Sequence, residues 1–276
     1  MRRDMRSRLP RSRPPVLANR RFREHAPALE GRSLAETFAY IYDTNLWGAD
    51  SRSGIGSNPD ATYRLRIALP ALLRTLNARV LLDVPCGDFG WLSKADLDLD
   101  EYIGADIVPA IVERNRTHYA GDGRGRRFVQ RDITADPLPA ADVVLCRDCL
   151  VHLSNADIFL AFENVKRSGG RYLLTTTFVE LEANTDIASG DWRPLNLQKP
   201  PFDLPAPLAV VLEGCTEEGG AYADKALALW EVAGLPQRTG RQEPAGTRGA
   251  ARDGPAPAEG PGHSPVPASR KRAGTA

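Results

Sequence analysis

Short apolar runs alternate with helical segments along the middle of the chain, and this alternation limits the possible folds more than any other feature. Most of the runs are continuously apolar, which predicts strands buried on both faces of a parallel sheet. Helices are predicted between them, for example at 109–119, which begins at a proline, and at 155–166, with Ser154 as N-cap. The alternation predicts a doubly wound α/β fold. The predicted strands are 80–84, 102–107, 127–130, 141–146 and 171–177.

The two ends of the chain differ from its body in composition and charge. Residues 1–27 carry nine Arg and two acidic residues, whereas residues 28–234 carry 20 basic and 30 acidic side chains. An acidic body is unsuited to holding a nucleic-acid backbone, which needs a basic surface. We expect 1–27 to be a basic disordered arm and 28–79 a helical cap. We expect 236–276 to be a disordered tail, since it is rich in Gly and Pro and almost without large apolar side chains.

Other classes of protein are excluded by simple features of the sequence. No apolar run approaches the ~20 residues that span a bilayer, and the N-terminus has no apolar signal core. The four cysteines form no dense framework, which favours free thiols and a cytoplasmic location. Cys146 and Cys149 have a C-x-x-C spacing, but a zinc site needs four ligands and there is no second such pair. We therefore expect no metal.

Four predicted strands end in an acidic residue or a glycine turn. The first ends in DVPCGDFG at 83–90, and the others end near Asp106, Asp132 and Asp148. In a doubly wound fold, ligands bind beyond the carboxyl ends of the strands. A glycine turn lets the backbone approach a ligand closely, and an acid after the second strand can accept hydrogen bonds from a ribose diol. The sequence therefore predicts one binding site formed by successive strand ends.

These motifs resemble those of class I S-adenosylmethionine-dependent methyltransferases, and the chain is also similar to a largely uncharacterised bacterial group of them. The resemblance implies a Rossmann-like methyltransferase sheet in residues 80–235, mostly parallel, with an antiparallel strand near the C-terminal end. The predicted strands 208–213 and 226–231 suit that antiparallel pair. S-adenosylmethionine is the implied cofactor. Its implied binding residues are Asp83, Pro85, Cys86, Gly87, Asp106, Ile107, Asp132, Ile133 and Cys146.

The first motif departs from the family pattern at two positions. Pro85 and Phe89 stand where glycines are usual, so the turn cannot follow the commonest path. Two alternatives therefore stay open beside the methyltransferase. One is a nicotinamide-dependent oxidoreductase on the same kind of sheet, against which the glycine spacing and Asp132 argue. The other is a non-catalytic binding module with a methyltransferase-like fold.

Methyl transfer to oxygen needs an aligned nucleophile and a group that accepts its proton. The predicted catalytic residues are His152 as general base, Asp148 to orient it, and Asp191 on a later loop. The predicted substrate contacts are Trp47, Trp192 and Arg193. For each residue the alternative is a structural role, such as capping, packing or fastening a loop. The expected reaction is methylation of a small molecule or glycan, at oxygen, because no N/D-P-P-Y-type tetrapeptide follows the fourth strand.

Overall fold

A computed structural model of the chain describes residues 13–48 and 52–237, and a seven-stranded sheet lies at its centre. The strand order is β3-β2-β1-β4-β5-β7-β6. Only β7 runs against its neighbours; all other pairs of adjacent strands are parallel. This confirms the predicted α/β sheet with an antiparallel strand near its C-terminal end. The strands are β1 (Val80–Asp83), β2 (Glu101–Asp106), β3 (Arg126–Gln130), β4 (Val143–Cys146), β5 (Tyr172–Phe178), β6 (Ala209–Leu212) and β7 (Lys225–Glu231).

Five helices of ten residues or more surround the sheet in the described part of the chain. None of them is long and apolar enough to cross a bilayer. α5 begins where Ser154 Oγ accepts a hydrogen bond from the backbone N–H of Asp157 at 3.1 Å, as the N-cap prediction required. The helices are α1 (Leu17–Leu29), α2 (Leu34–Asp43), α3 (Tyr63–Thr75), α4 (Pro109–Tyr119) and α5 (Asn155–Arg167).

The core lies on both faces of the sheet, which explains why its central strands are mostly apolar. Leu81 and Leu82 are adjacent in β1 and both fully buried, but they belong to opposite faces. Leu82 packs on the side of α5, with Ile158 and Phe162. Leu81 packs on the side of α3 and α4. Consecutive side chains of a strand point to opposite faces, so a strand covered on both sides has no polar positions.

The prediction of a disordered arm over 1–27 is wrong for its second half. α1 begins at Leu17 and is held to the body by the buried side chains of Val16, Phe22 and Leu29. Asn19 Nδ2 also donates to Asp191 Oδ1 at 2.8 Å. The segment is rich in Arg, which favours disorder, and its few apolar residues find their partners only in the folded body.

The other predicted domain boundaries are only partly within the described residues. α2 and α3 lie in the predicted helical cap, 28–79. Residues 1–12 of the arm and 238–276 of the predicted tail lie outside the described residues. The body that carries the functional site is therefore residues 13–48 and 52–237.

Candidate functional site

A cavity opens at the carboxyl ends of β1 to β4, and we call it the strand-end cavity. Eight of the nine predicted cofactor-binding residues line it. The ninth, Cys146, does not: it is 1% exposed and packs in the core on the α5 side. Cys146 is the last residue of β4, and its side chain points to the face of the sheet that packs on α5. The eight lining residues are Asp83, Pro85, Cys86, Gly87, Asp106, Ile107, Asp132 and Ile133.

The turn after β1 is fixed by contacts with the next strand end. Asp106 accepts hydrogen bonds from the backbone N–H groups of Gly87, at 3.1 Å, and Val108, at 3.0 Å. Gly87 has φ of +52°, and a Cβ there would lie 2.8 Å from Ser53 Oγ. Glycine is therefore the residue that this position favours. A carboxylate has about four acceptor positions, so Asp106 keeps capacity for the hydroxyl groups of a ligand.

Asp83 and Asp106 are both buried at the base of the strand-end cavity. Burial raises the pKa of Asp83 to about 7, although the Tyr102 hydroxyl donates to Asp83 Oδ2 at 2.7 Å and acts in the opposite direction. Burial also raises the pKa of Asp106 to about 6. Two desolvated carboxyl groups side by side favour a ligand that carries positive charge and hydrogen-bond donors.

Four charged side chains form a buried cluster where β4 ends. Lys225 Nζ lies 2.8 Å from Asp148 Oδ2 and 3.5 Å from Glu213 Oε2. Arg147 binds Glu213 through two hydrogen bonds, of 3.2 and 2.6 Å. Burial alone would raise the pKa of Asp148, but Arg147 and Lys225 outweigh it and hold that pKa well below its usual range. Asp148 is therefore a fixed negative charge and a poor proton acceptor.

His152 lies where the strand-end cavity meets a second cavity. Its Nδ1 is 2.9 Å from the backbone carbonyl oxygen of Asp191. Since a carbonyl only accepts, Nδ1 carries the proton and Nε2 is left as an acceptor. The ring stacks on Trp47 with centroids 4.4 Å apart. Burial lowers the pKa of His152 to about 4, so the imidazole is neutral at pH 7.

The second cavity, which we call the aromatic cavity, has a volume of about 260 Å³. Four residues line both cavities: Trp47, Ser53, Asp148 and His152. Of the rest of its wall, the sequence indicated Trp192 and the segment 54–56 and not the other residues. One signal was available for Lys225, a charged residue that opens the otherwise apolar strand KALALWE. The other missed residues that matter most are Phe178, Glu217 and Tyr222.

The loop that carries Asp191, Trp192 and Arg193 is fastened to the body, which was the structural alternative. Arg193 is 4% exposed and donates to the carbonyl oxygens of Leu150, at 2.8 Å, and Leu153, at 2.7 Å. Neither Arg193 nor Asp191 lines either cavity. Their predicted roles in substrate binding and catalysis are therefore corrected: Arg193 holds the loop, and the Asp191 carbonyl orients His152.

The predicted role of Asp148 also changes. Its carboxylate binds Lys225, while the Asp191 carbonyl holds His152 Nδ1, so Asp148 does not orient the ring by a hydrogen bond. All four cysteines are free thiols. Within 13–48 and 52–237, no group of three or more His, Cys, Asp or Glu side chains is arranged to hold a metal ion.

The sheet order and the strand-end carboxyl groups agree with the Rossmann-like α/β sheet that the sequence predicts. Residues 81–169 match a family model described as a methyltransferase domain. The matched segment runs from β1 into the turn after α5 and so contains all four strand ends. No curated protein matches the sequence.

Several solved methyltransferase structures are similar to the chain. The N-methyltransferase NodS from Bradyrhizobium japonicum WM9, in complex with S-adenosylhomocysteine, has 15% identity and a TM-score of 0.49, covering 71% of this chain and 98% of its own. Human N-acetylserotonin methyltransferase, in complex with S-adenosylmethionine, has 13% identity and a TM-score of 0.48, covering 76% and 61%. The methyltransferase domain of bacterial CtHen1 has 16% identity and a TM-score of 0.38, and the match covers 42% of this chain and 66% of that chain.

The residues of the strand-end cavity fit S-adenosylmethionine as cofactor. Asp106 stands at the end of β2 with acceptor capacity for the ribose hydroxyl groups. Ile107 and Ile133 give the cavity an apolar surface suited to adenine, and Asp132 is available to accept from the adenine amine. The two buried carboxyl groups, Asp83 and Asp106, suit a ligand that carries positive charge.

Proposed function

We propose that the protein transfers a methyl group from S-adenosylmethionine in the strand-end cavity to a hydroxyl group of a small molecule or glycan in the aromatic cavity. One observation carries the proposal: His152 lies in the wall shared by the two cavities, with Nε2 as an acceptor. A group in that place can take the hydroxyl proton as the oxygen attacks. The cofactor supplies a methyl group already activated by its sulfonium centre.

The protein's own residues then have three tasks. Asp106 and Asp132 hold the polar groups of the cofactor, and the aromatic walls exclude water from the acceptor. His152 accepts the proton through Nε2, while the Asp191 carbonyl and the Trp47 ring fix its orientation. The negative charge of Asp148 favours the imidazolium that forms. Alignment and desolvation are the main sources of rate in such a displacement.

The role of His152 is tested with His152→Gln and methyl-labelled S-adenosylmethionine. Acceptors come from fractionated cell extract and a panel of hydroxylated compounds. General-base catalysis contributes roughly 10²–10⁴-fold, so kcat/KM should fall by that factor while the affinity for S-adenosylhomocysteine stays within about twofold. His118→Gln, on an exposed face of α4, is the matched control and should leave both unchanged. Unchanged turnover in His152→Gln would refute the base assignment.

The cofactor site is tested by calorimetry with S-adenosylhomocysteine and with NADH. We expect only the first to bind, and Asp106→Ala to weaken it by about 1–3 kcal/mol because the ribose hydroxyl groups lose a charged partner. Asp100→Ala is the control, since Asp100 is an exposed acidic residue that directly precedes the first residue of β2, at the opposite end of the strand from Asp106. Binding of NADH alone would favour the oxidoreductase, and binding of neither would favour a non-catalytic module.

A further inference from the structure

The charged side chains around the aromatic cavity carry more negative than positive charge, and this excess indicates what kind of acceptor the cavity binds. At its base, Lys225 and Arg147 are opposed by Asp148 and Glu213 at 2.6–3.5 Å. Two cations and two anions in mutual contact leave no net charge there. Lys225 is therefore fully occupied and does not attract an anionic substrate.

Two carboxylates in the wall lie outside this cluster, Glu217 and the more exposed Glu218, and the more buried Glu217 faces an unsatisfied charge balance. It is half-buried and makes no ion pair with any described residue. The nearby cations have other partners: Arg13 lies 2.8 Å from Asp224, and Arg20 lies 3.9 Å from the more exposed Glu218. Burial raises the pKa of Glu217, and the opposing effects of Lys225 and of a hydrogen bond with Cys215 are smaller.

Aromatic rings form the wall of the cavity in which Glu217 lies. The rings of Trp192 and Tyr222 meet edge to face with centroids 5.1 Å apart, and Phe178 meets Trp192 in the same way at 6.0 Å. Trp47 closes the side next to His152. Aromatic faces beside a carboxylate attract cations, because both present negative potential. The guanidinium of Arg13 lies over Phe178 and Tyr222 in this way, with Cζ 5.7 and 5.6 Å from the ring centroids.

We infer that the acceptor carries a protonated amine as well as the hydroxyl group that is methylated, as an amino alcohol or amino sugar does. The ammonium binds at Glu217, and the hydroxyl lies at His152. The inference rests on the proposed function, whose reaction is balanced: the O–CH₃ bond forms, the S–CH₃ bond breaks to leave a thioether, and the hydroxyl proton passes to His152 Nε2. The positive amine stays unmethylated because it faces Glu217 rather than the strand-end cavity.

Binding of three matched probes to the full chain tests this inference. Benzylamine, benzyl alcohol and benzoate have nearly the same shape but positive, zero and negative charge. Their affinities are measured by calorimetry with and without saturating S-adenosylhomocysteine. A charge-assisted contact to Glu217 should make benzylamine bind about tenfold more tightly than benzyl alcohol, and benzoate should bind most weakly of the three. Equal binding of the amine and the alcohol would overturn the inference.

Glu217→Gln identifies the residue responsible. The amine preference should disappear, while the affinity for benzyl alcohol and the melting temperature stay as in the wild type. Glu218→Gln, the adjacent and more exposed acid, is the control and should keep the preference. A preference that survives Glu217→Gln would refute the assignment. If labelled methyl transfer and S-adenosylhomocysteine binding are normal but no probe preference exists, this inference alone fails; if S-adenosylhomocysteine does not bind, the proposed function fails, whatever the probes show.

Discussion

At the scale of one residue, Asp83 shows how a buried carboxyl group in a ligand site lowers the stability of the folded protein. It is 3% exposed and makes no ion pair within the described residues. Its pKa, raised to about 7 by burial, lies above the value near 3.9 that an unfolded chain gives. The folded state therefore binds a proton more tightly than the unfolded state, and stability is lost as the pH rises from about 4 to about 7. The sequence predicted the position of this carboxyl group but not its lack of a counter-charge.

We predict that Asp83→Asn is more stable than the wild type at pH 8, by roughly 2–4 kcal/mol, and equally stable near pH 4. The amide stays neutral, and the Tyr102 hydroxyl can bond to it as it bonds to the acid. Urea unfolding at the two pH values measures the difference. Asp98→Asn, an exposed substitution before β2, should show no such dependence on pH. An equal effect of Asp83→Asn at both pH values would contradict the raised pKa.

Phe89 stands in the first motif where a glycine is usual, and it adopts a backbone conformation that glycine favours. Its φ is +56°, in the left-handed region that glycine enters freely and other residues enter at a cost of about 1–2 kcal/mol. The ring is 1% exposed and packs against Tyr102, Tyr119 and Phe128 with centroids 4.5–5.5 Å away. Burying such a ring contributes about 1.5–3 kcal/mol, which offsets the strain. The departure therefore does not by itself indicate a lost site.

This balance predicts an unusual order of stability at position 89. Phe89→Ala and Phe89→Gly both lose the ring, at about 3–5 kcal/mol. Alanine keeps the strained φ, whereas glycine does not, so Phe89→Gly should be the more stable by about 1 kcal/mol. Chemical denaturation of the two variants measures the difference. At most positions a protein with alanine is more stable than the same protein with glycine. If Phe89→Ala were more stable than Phe89→Gly, position 89 would not hold a left-handed conformation in solution.

At the scale of elements, the sequence predicted the helix and strand bounds that are set by residues within or next to the element itself. The bounds of α4 were predicted to the residue, and those of β1 to within one residue, because Pro109 and the Asp83 turn mark them in the sequence. α1 and the aromatic cavity were not predicted, since both depend on contacts between distant segments. Asn19 in α1, for example, donates to the carbonyl oxygen of Trp192 and to the carboxylate of Asp191. The spacing of residues within either segment does not predict that contact.

We predict that Asn19→Ala loosens both α1 and the loop that orients His152. The substitution removes both hydrogen bonds and a third, from the backbone N–H of Val16 to Asn19 Oδ1, which costs about 1–3 kcal/mol. Hydrogen exchange should become faster in α1 and in residues 188–193, and the melting temperature should fall. Arg23→Ala, on the exposed side of the same helix, is the control. Faster exchange in α1 alone would show that Asn19 does not couple the helix to the loop.

At the scale of the whole molecule, composition predicts a body that forms a core and a last segment, outside the described residues, that does not. Residues 240–276 contain 13 Gly or Pro, no Leu, Ile, Met or aromatic side chain, and Val266 as their one β-branched aliphatic residue. Such a segment has too little apolar surface to offset the entropy of ordering it. In the body, by contrast, β1, β2, β4 and β5 are covered on both faces, and both cavities are lined by residues from 16 to 225.

Deleting residues 240–276 should therefore leave the melting temperature and the affinity for S-adenosylhomocysteine unchanged. The matched comparison is deletion of residues 1–30, which removes α1 with the buried Phe22 and Leu29 and opens one wall of the aromatic cavity. That deletion should lower the melting temperature and weaken benzylamine binding, but should affect S-adenosylhomocysteine less, since no α1 residue lines the strand-end cavity. Calorimetry and thermal unfolding of the two truncated proteins measure both effects. A loss of stability on removing 240–276 would mean that this segment packs on the body despite its composition.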